Sequence, residues 1–240
     1  MERINKYLKE CWANYKSDID LPENYNYLYG NPVKVHVPID IAQNRIMVIG
    51  AYPTAHFNTI KGIRDVPIED HLYPFSNEKY FDGGTVRSVK SGQELEDFYF
   101  SKLCVKREQC WITDLVKVFL FKEGHIKKYQ QLGYNKQKET RSQFKQFAKK
   151  SIPHLHKEIE LAKPKVILTL GSEVASIVLN VSENKAKQLM KAEAIEYKLN
   201  DNTYTLFALP HPGIIMRNSE VAIKWQKVLE QQLSLIKTVL

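Results

Sequence analysis

The segment Leu209-Pro210-His211-Pro212-Gly213 sets one imidazole on a turn stiffened by two prolines, directly after a strand-like apolar run. A neutral imidazole held in this way can donate to an oxygen that gains negative charge as a bond breaks; a satisfied histidine on a surface turn is the plainer alternative. Its place between a strand and Pro212-Gly213 favours the chemical role. Asp114 closes the run Cys110-Trp111-Ile112-Thr113-Asp114, where a carboxylate can act as base, stabilise a cation or accept from donors on a ligand. Asp65, Glu69 and Asp70 lie in Arg64-Asp65-Val66-Pro67-Ile68-Glu69-Asp70-His71 and can fold back over a pocket, Asp65 being the first choice for a water-activating base. Gly50-Ala51-Tyr52-Pro53 offers a tight turn and a stiff wall, and Phe75 offers an aromatic face for stacking or for ordinary loop packing.

The elements that would position these groups are four near-continuous apolar runs, over about 45–51, 110–118, 165–171 and 203–209. Runs of this kind, separated by helix-length stretches, predict buried parallel strands, whose carboxyl ends are where ligand sites form. Residues 93–106 carry Leu95, Phe98, Tyr99 and Leu103 at helical spacing. The spacing from Lys138 to Ala162 predicts a long basic helix kinked or split at Pro153, and Ser172 is placed to cap the helix after Gly171. Val221, Trp225, Val228, Leu229, Leu233 and Ile236 form the stripe of a closing helix capped by Asn218 or Ser219. Residues 1–30 predict a helical or irregular lead-in, and 53–92, with no sustained period, a long functional loop. The sum is an α/β chain, a three-layer α/β/α sandwich with a short, mainly parallel central sheet, in one domain over 1–240 with 1–44 as lead-in and 45–240 as core.

Composition narrows the class. The 35 Lys and Arg against 27 Asp and Glu give a net charge of +8, which favours a polyanionic partner. Ten of these cations, Lys122, Lys127, Lys128, Lys136, Lys138, Arg141, Lys145, Lys149, Lys150 and Lys157, follow the Trp111 strand and read as a phosphate-tracking surface or as a solvated helix face. Cys11, Cys104 and Cys110 are too few for a disulfide framework and lack the spacing of a zinc or iron–sulfur site. No apolar stretch reaches membrane-spanning length and Met1–Lys6 lacks the apolar centre of a secretory signal, so a cytoplasmic, nucleoid-associated monomer without cofactor or metal is expected.

In their order and spacing the motifs resemble the uracil-DNA glycosylase superfamily. Gly50-Ala51-Tyr52-Pro53 is similar to its first catalytic motif, Pro74-Phe75-Ser76 to the segment that stacks on a flipped base, and Ile112–Lys117 to the strand end that reads the base edge. Val166–Gly171 is similar to the central strand before a small-residue helix, and His211-Pro212 to the second catalytic motif, which precedes a loop that wedges into DNA. The resemblance covers the four core strands but not 1–44 or much of 57–92. It implies single- or double-stranded DNA as partner and hydrolysis of the N-glycosidic bond of a deaminated or damaged base, uracil or a relative. Gly50, Ala51, Tyr52, Pro53, Phe75 and Asp114 would line the base pocket, with His211 as donor and Asp65 as base. Ile214, Ile215 and Met216 would insert into DNA or pack in the core, and Arg217 would meet a phosphate or be solvated.

Three departures stand beside the matches. Ala51 and Tyr52 occupy the place where active branches hold a carboxylate or amide near the water, and Asp114 that of a base-reading asparagine. The branch most similar in its strands carries an iron–sulfur cluster, which needs about four thiolates against the three present. A non-catalytic nucleic-acid binder of the same fold is therefore the second reading. A metal-dependent hydrolase built on Asp65, Asp70, His71 and His211, or on His154 and His156, is a third, and its spacing fits no helical zinc motif.

Overall fold

Three of the apolar runs and the second half of the fourth are buried on both sides, so the chain must supply helices to both faces of the sheet they form. The computed structural model describes residues 1–191, 193–215 and 219–240. Its strands are β1 (Ile46–Gly50), β2 (Ala55–Ile60), β3 (Ile63–Asp70), β4 (Lys79–Phe81), β5 (Val86–Ser88), β6 (Cys110–Asp114), β7 (Val166–Leu170), β8 (Ile195–Leu199) and β9 (Asn202–Leu209). Its helices are α1 (Glu2–Asp18), α2 (Lys90–Leu95), α3 (Ser101–Leu103), α4 (Glu123–Gln131), α5 (Phe144–Ala162), α6 (Ser172–Val178), α7 (Glu183–Leu189), α8 (Pro212–Ile215) and α9 (Glu220–Val239). A π-helical turn, Glu96–Phe100, joins α2 to α3.

The central sheet runs β6-β1-β7-β9-β8, with the first four strands mutually parallel and β8 antiparallel to β9. Side chains alternate across it. Met47, Ile49, Trp111, Ile167 and Leu206 pack with α1 and α5 on one face, while Ile46, Val48, Ile112, Leu168 and Phe207 pack with residues 95–103 and α9 on the other. The three-layer α/β/α expectation holds. β8 escaped the sequence reading because a hairpin turn at Asn200-Asp201 returns the chain, and Ile195-Glu196-Tyr197-Lys198-Leu199 shows only a short, half-exposed alternation.

The lead-in is a structural part of the sandwich. The Tyr7 hydroxyl donates to Glu158 Oε1 (2.8 Å) and Tyr15 shares a hydrogen bond with Ser151 (2.5 Å), clamping α1 onto α5. Residues 36–42 then run antiparallel along β6, through His36 N to Lys117 O (2.7 Å), Ile112 N to Asp40 O (3.0 Å) and Ala42 N to Cys110 O (3.2 Å). This extended segment covers the β6 edge of the sheet.

Three local expectations are corrected. Residues 53–92 are not one long loop: β2 and β3 form a hairpin through Lys61-Gly62, and β4 and β5 form a second. The register slips between His56 and Phe57, opposite Pro67, which breaks the period-2 signal and lets a proline sit in the ladder. α5 passes through Pro153 as one helix, because a proline removes a single backbone bond and the flanking Phe147, Ala148, Leu155 and Ile159 are all held in the core. Gly171 takes the N-cap position of α6, so Ser172 lies inside the helix and its hydroxyl donates to Glu183 (3.4 Å).

Under the carboxyl end of β6 lies a buried ion pair. Lys117, 1 % exposed, donates to Glu158 Oε1 (2.7 Å), Thr113 Oγ1 (2.7 Å) and the Asp114 carbonyl (3.2 Å). Removing one member leaves the other charged and unmatched. Lys117→Met is expected to destabilise by about 3–5 kcal/mol in urea melts, and Lys117→Met with Glu158→Leu to recover most of that loss. A double variant no more stable than the single one would show that the pair is not the source.

Candidate active site

The parallel register sets Gly50, the last residue of β1, directly beside Asp114, the last of β6. A Cβ on Gly50 would fall on Asp114 Oδ1 and on the edge of the Phe75 ring, so these three residues meet only because Gly50 has no side chain. Hydrogen bonds from Leu115 N to Gly50 O and from Val116 N to Ala51 O, both 2.9 Å, carry the pairing past the strand ends.

Phe75 has a left-handed backbone (φ 52°), and its loop is braced from outside. The Arg107 guanidinium donates to the Phe75 carbonyl, to Asp40 (2.8 Å) and to Glu96 (3.1 Å), and lies over the Tyr73 ring. Gly92 of α2 sits so close to the carbonyls of Phe75 and Ser76 that any side chain there would strike them.

His211 stands at the end of β9, two strands from Gly50, or roughly 10 Å at the usual strand spacing. Its Nδ1 accepts from the Gly213 amide (3.1 Å), which puts the proton of a neutral ring on Nε2. The preceding carbonyl, of Pro210, accepts from the Tyr99 hydroxyl (2.6 Å), and a side chain at Gly171, after β7, would lie 3.5 Å from His211 Cβ. Strand ends β6, β1, β7 and β9 thus contribute Asp114, Gly50, Gly171 and His211 along one edge of the sheet.

Asp114 is 2 % exposed and its Oδ2 makes no hydrogen bond among the described residues. Burial pushes its pKa up to about 7, against the opposing pull of His36 and Lys117. Lys117 cannot compensate fully because its charge is shared with Glu158.

The other expected residues are distributed as follows. Pro53 is buried, and Ala51 and Tyr52 are half-buried. The Tyr52 hydroxyl accepts from Arg141 Nε (3.1 Å), while Arg141 pairs with Glu173 (2.6 Å). Each loop carboxylate is already committed: Asp65 is exposed and paired with Arg87 (2.8 Å), Glu69 bonds His56 (3.0 Å), and Asp70 accepts from the Tyr27 hydroxyl and the Lys34 amide (2.8 Å each). The fold therefore ties Asp65 to the second hairpin and does not bring it to Asp114. Ile215 is 1 % exposed in the apolar core, Ile214 is half-buried, and Arg217 lies outside the described residues, with Met216 and Asn218. Of the basic run, Lys127, Arg141, Lys145, Lys150 and Lys157 pair with carboxylates, so less of its charge is available than the count suggests.

Arg107 and Tyr99 were not among the expected site residues; Tyr99 read as core stripe, and Arg107 belongs to no motif. Also unforeseen is a group on the two hairpins, His56, His71 and Glu78, whose ligand-capable atoms all lie within 4.8 Å of one another.

The family model of the uracil DNA glycosylase superfamily matches residues 39–233. The chain belongs to this superfamily. No curated protein matches it. Within the superfamily match fall Gly50, Phe75, Asp114 and His211, whereas α1 lies outside it. Membership brings a DNA glycosylase-like function, and no described helix is long and apolar enough to cross a membrane.

The buried carboxyl group ties stability to pH. Between the ordinary carboxylate value of 3.8 and about 7 the folded protein keeps a proton on Asp114 that the unfolded chain has lost, so the stabilisation is complete below the lower value and gone above the upper. Urea melts from pH 4 to 8 are expected to show Asp114→Asn gaining on the parent with rising pH, by at most about 1.4 kcal/mol per pH unit. A pH-independent difference between the two would mean that Asp114 titrates as an ordinary carboxylate.

Proposed function

We propose that the chain is a DNA glycosylase that turns a deaminated or damaged base out of DNA and hydrolyses its N-glycosidic bond. The observation that carries this reading is the placement of the strand ends: His211, whose Nδ1 accepts from the Gly213 amide so that a neutral ring carries its proton on Nε2, follows β9 at the same carboxyl edge of the sheet where Gly50, Phe75 and Asp114 meet. Phe75 stacks on the base and Asp114 reads its edge. As the C1′–N bond breaks, its electron pair moves onto the base, and Nε2–H stabilises the anion without giving up its proton. Water adds to C1′ through oxygen and releases a proton to solvent or to the departing base. Ile214, the more exposed of the two isoleucines, is left for the wedge.

The protonation of Asp114 selects the base. A carboxylate only accepts, whereas a carboxylic acid both donates and accepts as an amide does. Below about pH 7 the acid form suits bases with a carbonyl edge, such as uracil or hypoxanthine; above it the ion suits bases with an amino group. The three cysteines, Cys11 and Cys110 buried and Cys104 exposed, are fewer than the thiolates of an iron–sulfur cluster and support a branch without one.

A non-catalytic DNA binder is the second reading, favoured by the tethering of Tyr52 to Arg141 and Glu173 at the position where active relatives order water. Base release from oligonucleotides carrying uracil, hypoxanthine or xanthine separates the two. The glycosylase reading expects release that falls about 100- to 1,000-fold in His211→Ala. Release of carbonyl-edged bases should also fall as pH rises through 7, a dependence lost in Asp114→Asn, which should favour uracil. Salt-sensitive binding without release from any substrate would establish the binder.

A further inference from the structure

Two histidines and a glutamate converge in the hairpin region outside the pocket. His56 lies on β2, His71 just after β3, and Glu78 just before β4. His56 and His71 are 7 % and 6 % exposed, and their rings meet edge to face at 4.3 Å. His71 Nδ1 is 3.0 Å from Glu78 Oε1, and His56 Nε2 is 3.4 Å from the same oxygen.

The hydrogen bonds around His56 leave this arrangement incomplete. Its Nδ1 lies 3.0 Å from Glu69 Oε1, and a carboxylate accepts only, so Nδ1 carries a proton. On a neutral ring that leaves Nε2 as a lone pair. Among the described residues Nε2 makes no hydrogen bond, although it is buried and lies 3.4 Å from Glu78 Oε1. Two acceptors pointed at each other in a buried cluster repel unless a cation lies between them.

We infer that His56, His71 and Glu78 bind a divalent transition-metal ion, with Zn2+ the best match to two imidazoles and a carboxylate. Ligand atoms about 2.0–2.1 Å from a tetrahedral zinc stand about 3.3 Å from one another. The two measured separations of 3.0 and 3.4 Å bracket that edge. The surroundings are those of ligands already oriented: Glu69 holds the outer nitrogen of His56, Tyr80 stacks on its ring at 4.1 Å, and Glu78 Oε1 accepts from Leu72 N (2.9 Å) and Ser76 Oγ (3.0 Å). Three protein ligands leave a fourth position to water.

The ion would close the loop that runs from His71 to Glu78 and carries Phe75, and would fasten the first hairpin to the second. Its role is structural, and it does not rest on the base-release chemistry. The competing occupant of the same space is a second proton on His56, giving an imidazolium between Glu69 and Glu78.

Elemental analysis of the purified full chain, followed by Zn2+ and Co2+ titration of chelator-treated protein, tests the inference. One equivalent of metal and a saturable visible Co2+ spectrum are expected. Both should be lost in His71→Gln and in Glu78→Gln and kept in His154→Gln, whose histidine lies on α5. Should the first two variants fail to fold by circular dichroism, Glu69→Gln keeps the ligands and is expected to weaken binding about 10- to 100-fold. The absence of both retained metal and a saturable titration would overturn the inference in favour of the proton. So would binding that His71→Gln, correctly folded, leaves unchanged.

Discussion

Because β1 and β6 pair in parallel with Gly50 opposite Asp114, a carboxyl group and an aromatic ring are brought to one point that a single methyl group would fill. The remaining geometry is arranged around that close approach. Phe75 accepts a left-handed backbone to reach it, and Arg107 and Gly92 hold its loop there. Asp114, walled in by the same contacts, loses the water that would keep it ionised.

The electrostatics beneath the pocket extend the same constraint downward. Lys117 offsets the burial of Asp114 only in part, because its ammonium group is directed to Glu158, which the Tyr7 hydroxyl also engages. α1 is therefore joined to the end of β6 through a chain of polar contacts, although it lies outside the superfamily match. The lead-in is part of what sets the environment of Asp114, and its removal would reach the pocket through Glu158 and Lys117.

What could be read from the sequence divides along the range of the interactions. The four parallel strands were legible because Ile46–Gly50, Cys110–Asp114, Val166–Leu170 and the end of β9 are continuous apolar runs, a signal that needs no knowledge of neighbours. Gly50, Asp114 and His211 were legible for the same reason, as residues at the ends of such runs. The hairpins were not, since His56, Phe57 and Pro67 make sense as strand residues only once a slipped register pairs them. Asp65 illustrates the cost: as a loop residue it was open to any partner, whereas the hairpin commits it to Arg87. The same blindness hid His56, His71 and Glu78, which are distant in sequence and adjacent only through strand pairing.

One segment, from α2 through the π-helical turn, touches both the Phe75 loop and the turn before His211. Gly92 abuts the Phe75 loop, Glu96 grips it through Arg107, and Tyr99 holds the carbonyl before His211. The Phe75 loop and the turn carrying His211 are therefore braced by one continuous helical segment instead of by two independent loops. A displacement of the loop on one side is thereby carried to the turn on the other through a shared helical support.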